Sequence, residues 1–248
     1  MDSRTPGLTR TGRVAALLAA LDVFGGTTRR AGGYLGGRTA FGSVDLAAGG
    51  RVDADRVTGR ALGSGYGSLV MPVGPRTRIE AHWGRAGQFP ELAQLLSRYA
   101  GPGRLRPERS SQLEAILDRR IDDRTRVQVE LYERRDLDLL ARPAVDPRLG
   151  ADGVVVAAVP TAPWRNSQHG TARGVQVLLQ RRSANGFTGW VSYAYGRTRL
   201  RDDALGVWFP SDNDQRHTLN AYVSRRLRAS VNISGRLTFG SGMPLPGF

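Results

Sequence analysis

The feature that most constrains the fold of this chain is a repeated alternation of apolar and polar residues with a period of two. Such alternation is typical of a β-strand that turns one face to an apolar environment and the other to polar groups. In one segment the apolar residues Ile79, Ala81 and Trp83 are separated by polar ones. Similar segments lie near 112–118, 126–132, 175–180, 219–224 and 231–239. Only residues 90–99 suggest one or two helical turns, so the sequence predicts an all-β protein.

The connections between these segments indicate how the strands are arranged. Short stretches rich in Gly, Pro, Asp and Asn are typical of tight hairpin turns, and they occur near residues 42–43, 73–76, 122–124, 183–186 and 228–229. The intervening connections are predicted to be longer, at about 50–64, 85–110, 135–169 and 198–214. Short and long connections therefore alternate, which predicts roughly five hairpins with strands of about 9–11 residues.

Two architectures produce this pattern. A soluble β-sandwich packs one strand face on a core and exposes the other to water. An outer-membrane barrel turns the apolar face to lipid and the polar face to its lumen, with short periplasmic turns and long outer loops. Long strands and a systematic difference in turn length favour the barrel, because globular strands average about 5–6 residues and a sandwich does not require the difference.

The composition further limits the classes of protein to which the chain could belong. The 248 residues include 36 basic side chains, all arginine, and 22 acidic ones, which gives a net charge of +14. The absence of cysteine excludes disulfides, thiol catalysis and thiolate metal sites. The longest apolar runs, Val14–Leu21 and Val154–Val159, are too short for a transmembrane helix. The first run follows three arginines and only weakly suggests a secretory signal.

Several short motifs make the chain resemble the β-barrel portion of TonB-dependent outer-membrane receptors of the transporter type. Three stretches in the first half, 50–53, 84–90 and 105–110, are similar to the family patterns G-x-R-x-D, G-x-x-x-Q-x-P and L-x-P-E-x-S. Four in the second half, 170–180, 191–195, 214–220 and 240–244, follow in the family's order. The matching positions are Arg51, Asp53, Gln88, Pro90, Pro107, Glu108, Asp214, His217, Gly242 and Pro244.

The resemblance implies an antiparallel transmembrane β-barrel segment over residues 30–248, and residues 1–29 stay unassigned. Family barrels have about 22 strands, whereas about ten are predicted here. The fold expected is therefore an incomplete barrel, or open curved sheet, and the chain looks like a middle-to-late piece of a receptor. The plug domain and TonB box of the family are not recognised in the sequence. Phe248 resembles a terminal barrel aromatic, but the preceding residues do not alternate, so we interpret it as coincidence.

The resemblance also implies a function. It predicts energy-dependent uptake, in the outer membrane, of a scarce and bulky solute such as an iron–siderophore, a cobalamin-like molecule or an oligosaccharide. The expected partners are outer-membrane lipid, lipopolysaccharide and the TonB complex, and no catalytic residue or cofactor is needed. Side chains on the polar face would then line the lumen: Arg78, Glu80, Arg126, Glu130, Asn232 and Arg236.

Two other functions remain open from the residues alone. A basic β-sandwich could bind a polyanion, although the arginines are spread along the chain and mixed with acids, which does not favour nucleic acid. A barrel enzyme could use Asp214 and His217 with Ser211 or Ser224. The spacing of the histidines matches no zinc motif, and Gly32, Gly33, Gly36 and Gly37 lie in strand-like sequence rather than in a phosphate loop.

Overall fold

The computed structural model describes residues 25–100, 105–142, 145, 147–149, 152–184, 186–203 and 206–244. The apolar run Val14–Leu21 and the terminal Phe248 lie outside these residues. The strands are β1 (Arg30–Phe41), β2 (Val44–Asp55), β3 (Arg60–Pro72), β4 (Thr77–Gln88), β5 (Glu108–Arg120), β6 (Thr125–Ala141), β7 (Arg148–Leu149), β8 (Val155–Val156), β9 (Arg165–Ala184), β10 (Phe187–Asp202), β11 (Val207–Pro210), β12 (His217–Arg228) and β13 (Val231–Gly240).

The strands form one large antiparallel sheet. Ten of them follow in the order β1-β2-β3-β4-β5-β6-β9-β10-β12-β13, and the short β11 pairs with β10. Strands β7 and β8 form a separate two-stranded sheet within the connection between β6 and β9. The main sheet is not closed into a barrel, because β1 and β13 each have one neighbour in this order. The prediction of about ten strands in an open antiparallel sheet is confirmed, and this single layer is not a β-sandwich.

The two ends of the sheet differ in the length of their connections. We call the end with the turns 42–43, 73–76, 121–124, 185–186 and 229–230 the turn end. The opposite loop end has the connections 56–59, 89–107, 142–164 and 203–216. A short helix, α1 (Leu92–Leu96), lies in the loop 89–107 within the predicted helical region. Within the described parts, the structure contains no helix of the length and apolarity required to cross a membrane.

One long connection was predicted wrongly. Residues 50–64 are not a loop: β2 and β3 continue through them and pair as far as Asp55 and Arg60. The glycines in these strands interrupt the apolar pattern, which makes the segment look irregular in the sequence. In the sheet they accommodate a large neighbour, because a side chain at Gly49 would meet the ring of Tyr66 within 2.5 Å. The turn itself uses Gly59 at φ 63°, a conformation that favours glycine.

The register separates the sheet into two faces. Directly paired residues of antiparallel strands lie on the same face, so one row across the sheet joins Leu131, Val175 and Tyr195. The face that contains this row, the apolar face, remains open to its surroundings, and Leu113, Leu131 and Leu237 are each more than half exposed. The other, the polar face, contains Arg78, Asp118 and Arg126.

The few buried apolar side chains lie at the loop end rather than in the middle of the sheet. They come from the start of β3, the loop 89–107 and the connection that leads into β9: Leu62, Phe89, Pro90, Leu105 and Ala162. Several carboxylates are buried at the same end, among them Asp55, Asp136, Asp138, Asp202 and Asp214. Burial of a charged group is costly unless it is paired. These buried carboxylates therefore require hydrogen-bond or ion-pair partners at the loop end.

Candidate functional site

The polar face brings together four of the six predicted lumen residues. Glu80 follows Arg78 on β4, and their side chains form an ion pair at 2.8 Å. Asp118 on β5, only 8% exposed, accepts hydrogen bonds from Arg78 at 3.1 Å and from Arg126 on β6 at 2.8 Å. Glu130 lies on the same face of β6 as Arg126, four residues closer to the loop end. A shared buried carboxylate thus holds two arginines on this face.

The other two predicted lumen residues, Asn232 and Arg236, share the face but lie at its far edge on β13. The register connects them through an unbroken row: Arg236 is opposite Tyr222, Tyr222 opposite Trp190, Trp190 opposite Gln180, and Gln180 opposite Arg126. The Asn232 amide and the Ser224 hydroxyl are hydrogen-bonded at 3.1 Å. The polar face is therefore continuous across the sheet, although it does not gather all six residues into one pocket.

At the turn end the polar face opens into a basic cleft of about 400 Å³. Its arginines are Arg76, Arg78, Arg120, Arg124, Arg126 and Arg182. Asp122 fixes the turn at its border by accepting the backbone N–H groups of Arg124 and Thr125, each at 2.8 Å. The hydrogen bond from Arg124, followed by those from Thr125, lowers the pKa of Asp122 below its usual value.

Contacts at the loop end account for residues of the motif at 105–110. Pro107 is buried, and the Glu108 carboxylate accepts the backbone N–H of Leu140 at 2.6 Å. The ladder between β6 and β9 is irregular there, with register shifts between Asp136, Leu139 and Leu140. Because a bulge removes residues from regular pairing, Glu108 satisfies a donor that the ladder does not serve. Glu108 of this motif therefore stabilises the irregular end of the ladder between β6 and β9.

Asp138 sits inside the same bulge and was not found from the sequence. It has φ 60°, the only positive φ among the described residues that are not glycine. Its carboxylate pairs with Arg106 at 2.6 Å and with Arg109, and its carbonyl oxygen accepts the Asn166 side-chain N–H at 2.6 Å. Asn166 also accepts the backbone N–H of Arg106 at 2.8 Å. This junction ties the end of the loop 89–107 to the start of β9.

A second junction joins the same two loops. The guanidinium of Arg142 lies 3.9 Å from the ring centre of Tyr99 and donates to the carbonyl oxygen of Ala162 at 2.7 Å. The backbone N–H of Trp164 donates to the carbonyl oxygen of Tyr99 at 2.8 Å. The loops 89–107 and 142–164 are therefore held against each other. An aromatic and an arginine about 40 residues apart give no sequence signal of such a contact.

The motif positions near the end of the chain also meet at the loop end. Asp214, 3% exposed, accepts the backbone N–H of Thr198 at 2.7 Å. Gln215 donates to the carbonyl oxygen of Ser241 at 3.0 Å, and the backbone N–H of His217 donates to the Ser241 hydroxyl at 3.1 Å. These bonds link the segments 214–220 and 240–244, which the sequence treated as separate motifs. Gly242 and Pro244 follow this contact in irregular chain.

The other first-half motif positions lie on β2 and β4 and in the loop 89–107, towards the other edge of the sheet. Arg51 and Asp53 form an ion pair at 2.6 Å on β2. Pro90 is fully buried, and its carbonyl oxygen accepts a hydrogen bond from Arg30 at 3.4 Å. Gln88 is the last residue of β4 and pairs with Glu108 in the register. The motif positions therefore lie in the half of the sheet nearer the loop end and in the connections at that end.

Of the residues considered for enzyme chemistry, Asp214 meets Ser211 through a backbone hydrogen bond, in which the N–H of Asp214 donates to the carbonyl oxygen of Ser211 at 2.8 Å. His217 contacts Tyr193, whose hydroxyl lies 2.8 Å from the His217 Nδ1 atom. Asp214 pairs instead with Arg216 at 3.3 Å. Ser224 lies on the opposite face of β12 from His217 and towards the turn end. Among the described residues there is also no group of three or more His, Asp or Glu side chains arranged to hold a metal ion.

Comparison with known families decides the assignment. The family model for the TonB-dependent receptor-like β-barrel matches residues 2–244, nearly the whole chain. The chain belongs to this family. Its members are receptors and transporters in the outer membrane of Gram-negative bacteria, and the chain is assigned to that membrane. No significant match was found among curated proteins.

Solved structures agree with the family at the level of the fold. The siderophore receptor PirA from Acinetobacter baumannii is 14% identical, with a TM-score of 0.68 over 85% of this chain and 33% of that one. The FrpB iron transporter from Neisseria meningitidis, in its F5-1 apoprotein form, is 12% identical, with a TM-score of 0.64 over 93% and 37%. The ferripyoverdine receptor of Pseudomonas aeruginosa is 16% identical, with a TM-score of 0.61 over 85% and 28%. The chain spans about a third of the length of these receptors.

Proposed function

We propose that the chain forms part of the wall of an outer-membrane receptor that takes up a bulky, scarce solute. The observation that carries this proposal is the two-faced sheet: a continuous polar face, an exposed apolar face and long loops confined to one end. A polar solute crosses a membrane only where polar groups replace its water. In the proposal the polar face lines the solute path, and Arg78, Glu80, Arg126, Glu130, Asn232 and Arg236 point into it.

The solute class is proposed by analogy with the structurally similar receptors rather than from a pocket in this chain. PirA is a siderophore receptor, FrpB an iron transporter, and the receptor from Pseudomonas aeruginosa binds ferripyoverdine. We propose an iron–siderophore as the first class to test, with a cobalamin-like molecule or an oligosaccharide as the next. Energy would come from the TonB complex. Nucleic acid is not an expected partner.

Uptake in the producing bacterium tests this proposal. The gene that encodes the chain is deleted, and uptake of labelled ferric siderophores, cobalamin and oligosaccharides is compared with that of the parent strain. The proposal predicts that one class loses uptake and that deletion of tonB abolishes the same uptake. Unchanged uptake of all three classes, or uptake that persists without tonB, would contradict it. Complementation by the unaltered gene is the control.

A further inference from the structure

We propose that the basic cleft at the turn end is a docking site for an extended acidic peptide segment of a periplasmic partner. The cleft has a volume of about 400 Å³ and lies where the turns 73–76 and 121–124 meet the end of β9. Short turns of outer-membrane barrels face the periplasm. The proposal depends on the assignment to the outer membrane and not on the proposed uptake of a solute.

The cleft carries an excess of positive charge. Six arginines and three aspartates line it, which leaves three positive charges unbalanced. Two of the arginines, Arg78 and Arg126, pair with Asp118. Among the described residues the other four have no carboxylate within ion-pair distance: Arg76, Arg120, Arg124 and Arg182. The chain itself therefore leaves these four guanidinium groups available to an acidic partner.

Backbone hydrogen bonds place these arginines side by side. The N–H of Arg120 donates to the carbonyl oxygen of Arg76 at 2.8 Å, and the N–H of Arg182 donates to that of Arg124 at 2.8 Å. Arg120 is also directly opposite Arg126 in the register. Like charges in directly opposite positions destabilise a sheet. Carboxylates bound between the guanidinium groups would remove this repulsion.

Side-chain contacts fix the two turns that border the cleft. Arg76 donates to the carbonyl oxygen of Ile121 at 3.2 Å, and Arg120 donates to the carbonyl oxygen of Pro75 at 3.2 Å. Each turn thus holds the other, and because both acceptors are uncharged, the positive charge of the two arginines is not neutralised. A preformed surface lowers the entropic cost of binding, which favours capture of a partner that is itself flexible.

The width of the cleft indicates an extended peptide. The arginines lie on four adjacent strands, β4, β5, β6 and β9, and neighbouring strands are about 4.8 Å apart. Three such spacings cover about 14 Å, and an extended chain rises about 3.4 Å per residue. A segment of about five residues therefore reaches from Arg76 to Arg182, whereas a single small anion would contact only part of the row.

The position and lining of the cleft argue against a lipid and against nucleic acid. The cleft opens on the polar face, away from the apolar face that meets lipid. Among the described residues that line it there is no aromatic side chain, whereas proteins that bind single-stranded nucleic acid stack the bases on aromatic rings. Gln180 lies in the lining and provides an amide for hydrogen bonds to a peptide backbone. An acidic peptide is therefore the occupant that these observations favour.

Binding of a blocked hexaglutamate peptide, labelled with an uncharged fluorophore, to the full chain in a zwitterionic detergent tests the site by fluorescence anisotropy. The variant combines R124Q and R182Q. The control combines R225Q and R228Q, which removes the same charge from the turn end of β12, outside the cleft. Loss of two charged hydrogen bonds predicts at least about tenfold weaker binding in the first variant and little change in the control. Equal weakening in both variants would overturn the proposal.

Three measurements on the unaltered chain decide the matter even when the first variant does not fold. Triglutamate should bind at least about tenfold more weakly than hexaglutamate, because it contacts fewer arginines. Sodium phosphate should displace hexaglutamate no better than sodium chloride of the same ionic strength. Hexaglutamate should protect Arg124 and Arg182, but not Arg225 and Arg228, from phenylglyoxal modification, detected by peptide mass spectrometry. Equal binding of triglutamate, specific displacement by phosphate, or equal protection of all four arginines would contradict a docking site for an extended acidic peptide.

Discussion

At the scale of single residues, two of the motif positions are carboxylates that accept backbone N–H groups, and a turn aspartate outside the motifs does the same. Glu108 serves Leu140, Asp214 serves Thr198, and Asp122 serves Arg124. In each case the acceptor lies at a strand end, where the ladder leaves donors unpaired. The sequence identified Glu108 and Asp214 through the family resemblance, but their bonding partners are 32 and 16 residues away. Such contacts depend on strand register and could not be derived from the motifs.

Substitution of Glu108 should destabilise the loop end. E108A leaves the Leu140 N–H without its acceptor, and an unsatisfied buried donor costs about 1–3 kcal/mol. E108Q keeps a side-chain oxygen at the same distance and should recover most of this loss. Thermal unfolding in detergent micelles measures the effect. E133A, which alters an exposed carboxylate on the neighbouring strand, is the control, and an equal loss in E133A and E108A would contradict the assigned role.

The lowered pKa of Asp122 predicts how the stability of the folded chain changes with pH. Hydrogen bonds from Arg124 and Thr125 lower its pKa in the folded chain, so its contribution to stability is fully present above the unfolded pKa of about 3.9. That contribution is lost as the pH falls through the lower folded value. The stability difference between the unaltered chain and D122A should therefore be constant from pH 5 to 7 and shrink below pH 4. D123A at the adjacent exposed position is the control; a difference that grows on acidification would contradict the assignment.

At the scale of the elements, periodicity predicted the strands where alternation is clean and failed where glycine replaces the apolar residues. β4 and β5 begin and end within a few residues of the predicted turns and connections, whereas β6 extends to Ala141, into the connection predicted at 135–169. β2 and β3 extend through the glycine-rich segment 50–64, because pairing with a neighbour, not side-chain pattern, decides whether a glycine is in a strand. The bulge around Asp138 was also invisible, since an isolated left-handed aspartate has no pattern of its own.

The two faces of β9 should respond differently to the same substitution. Val177 lies on the apolar face, in the row with Val129 and Tyr193, and Gln176 lies beside it on the polar face, opposite Glu130. V177R would place a guanidinium against lipid at a cost of roughly 2–4 kcal/mol near the bilayer midplane. Q176R should cost much less. Denaturant unfolding from lipid vesicles compares the two, and equal losses would mean that the faces have been assigned incorrectly.

At the scale of the whole molecule, the open sheet has two free edges, one on β1 and one on β13. Every residue of β1 and of β13 is exposed, whereas the strands between them are partly covered by neighbours. A free strand edge presents unpaired backbone groups that lipid cannot satisfy. The two faces of the sheet and the difference between its ends were predictable from alternation and turn length, and the open sheet was predictable from the family resemblance. The loop junctions were not, because they unite residues from connections that have no periodicity.

The most direct test of the two-faced sheet uses the absence of cysteine from the chain. Single cysteines are introduced in turn at positions 175–180 of β9, and each variant is labelled in outer-membrane vesicles with a water-soluble maleimide and, separately, with a lipid-soluble one. The structure predicts that positions 176, 178 and 180 react with the water-soluble reagent, and that 175, 177 and 179 react only with the lipid-soluble one. Uniform labelling of all six positions by the water-soluble reagent would contradict a membrane-spanning sheet with one polar and one lipid-facing side.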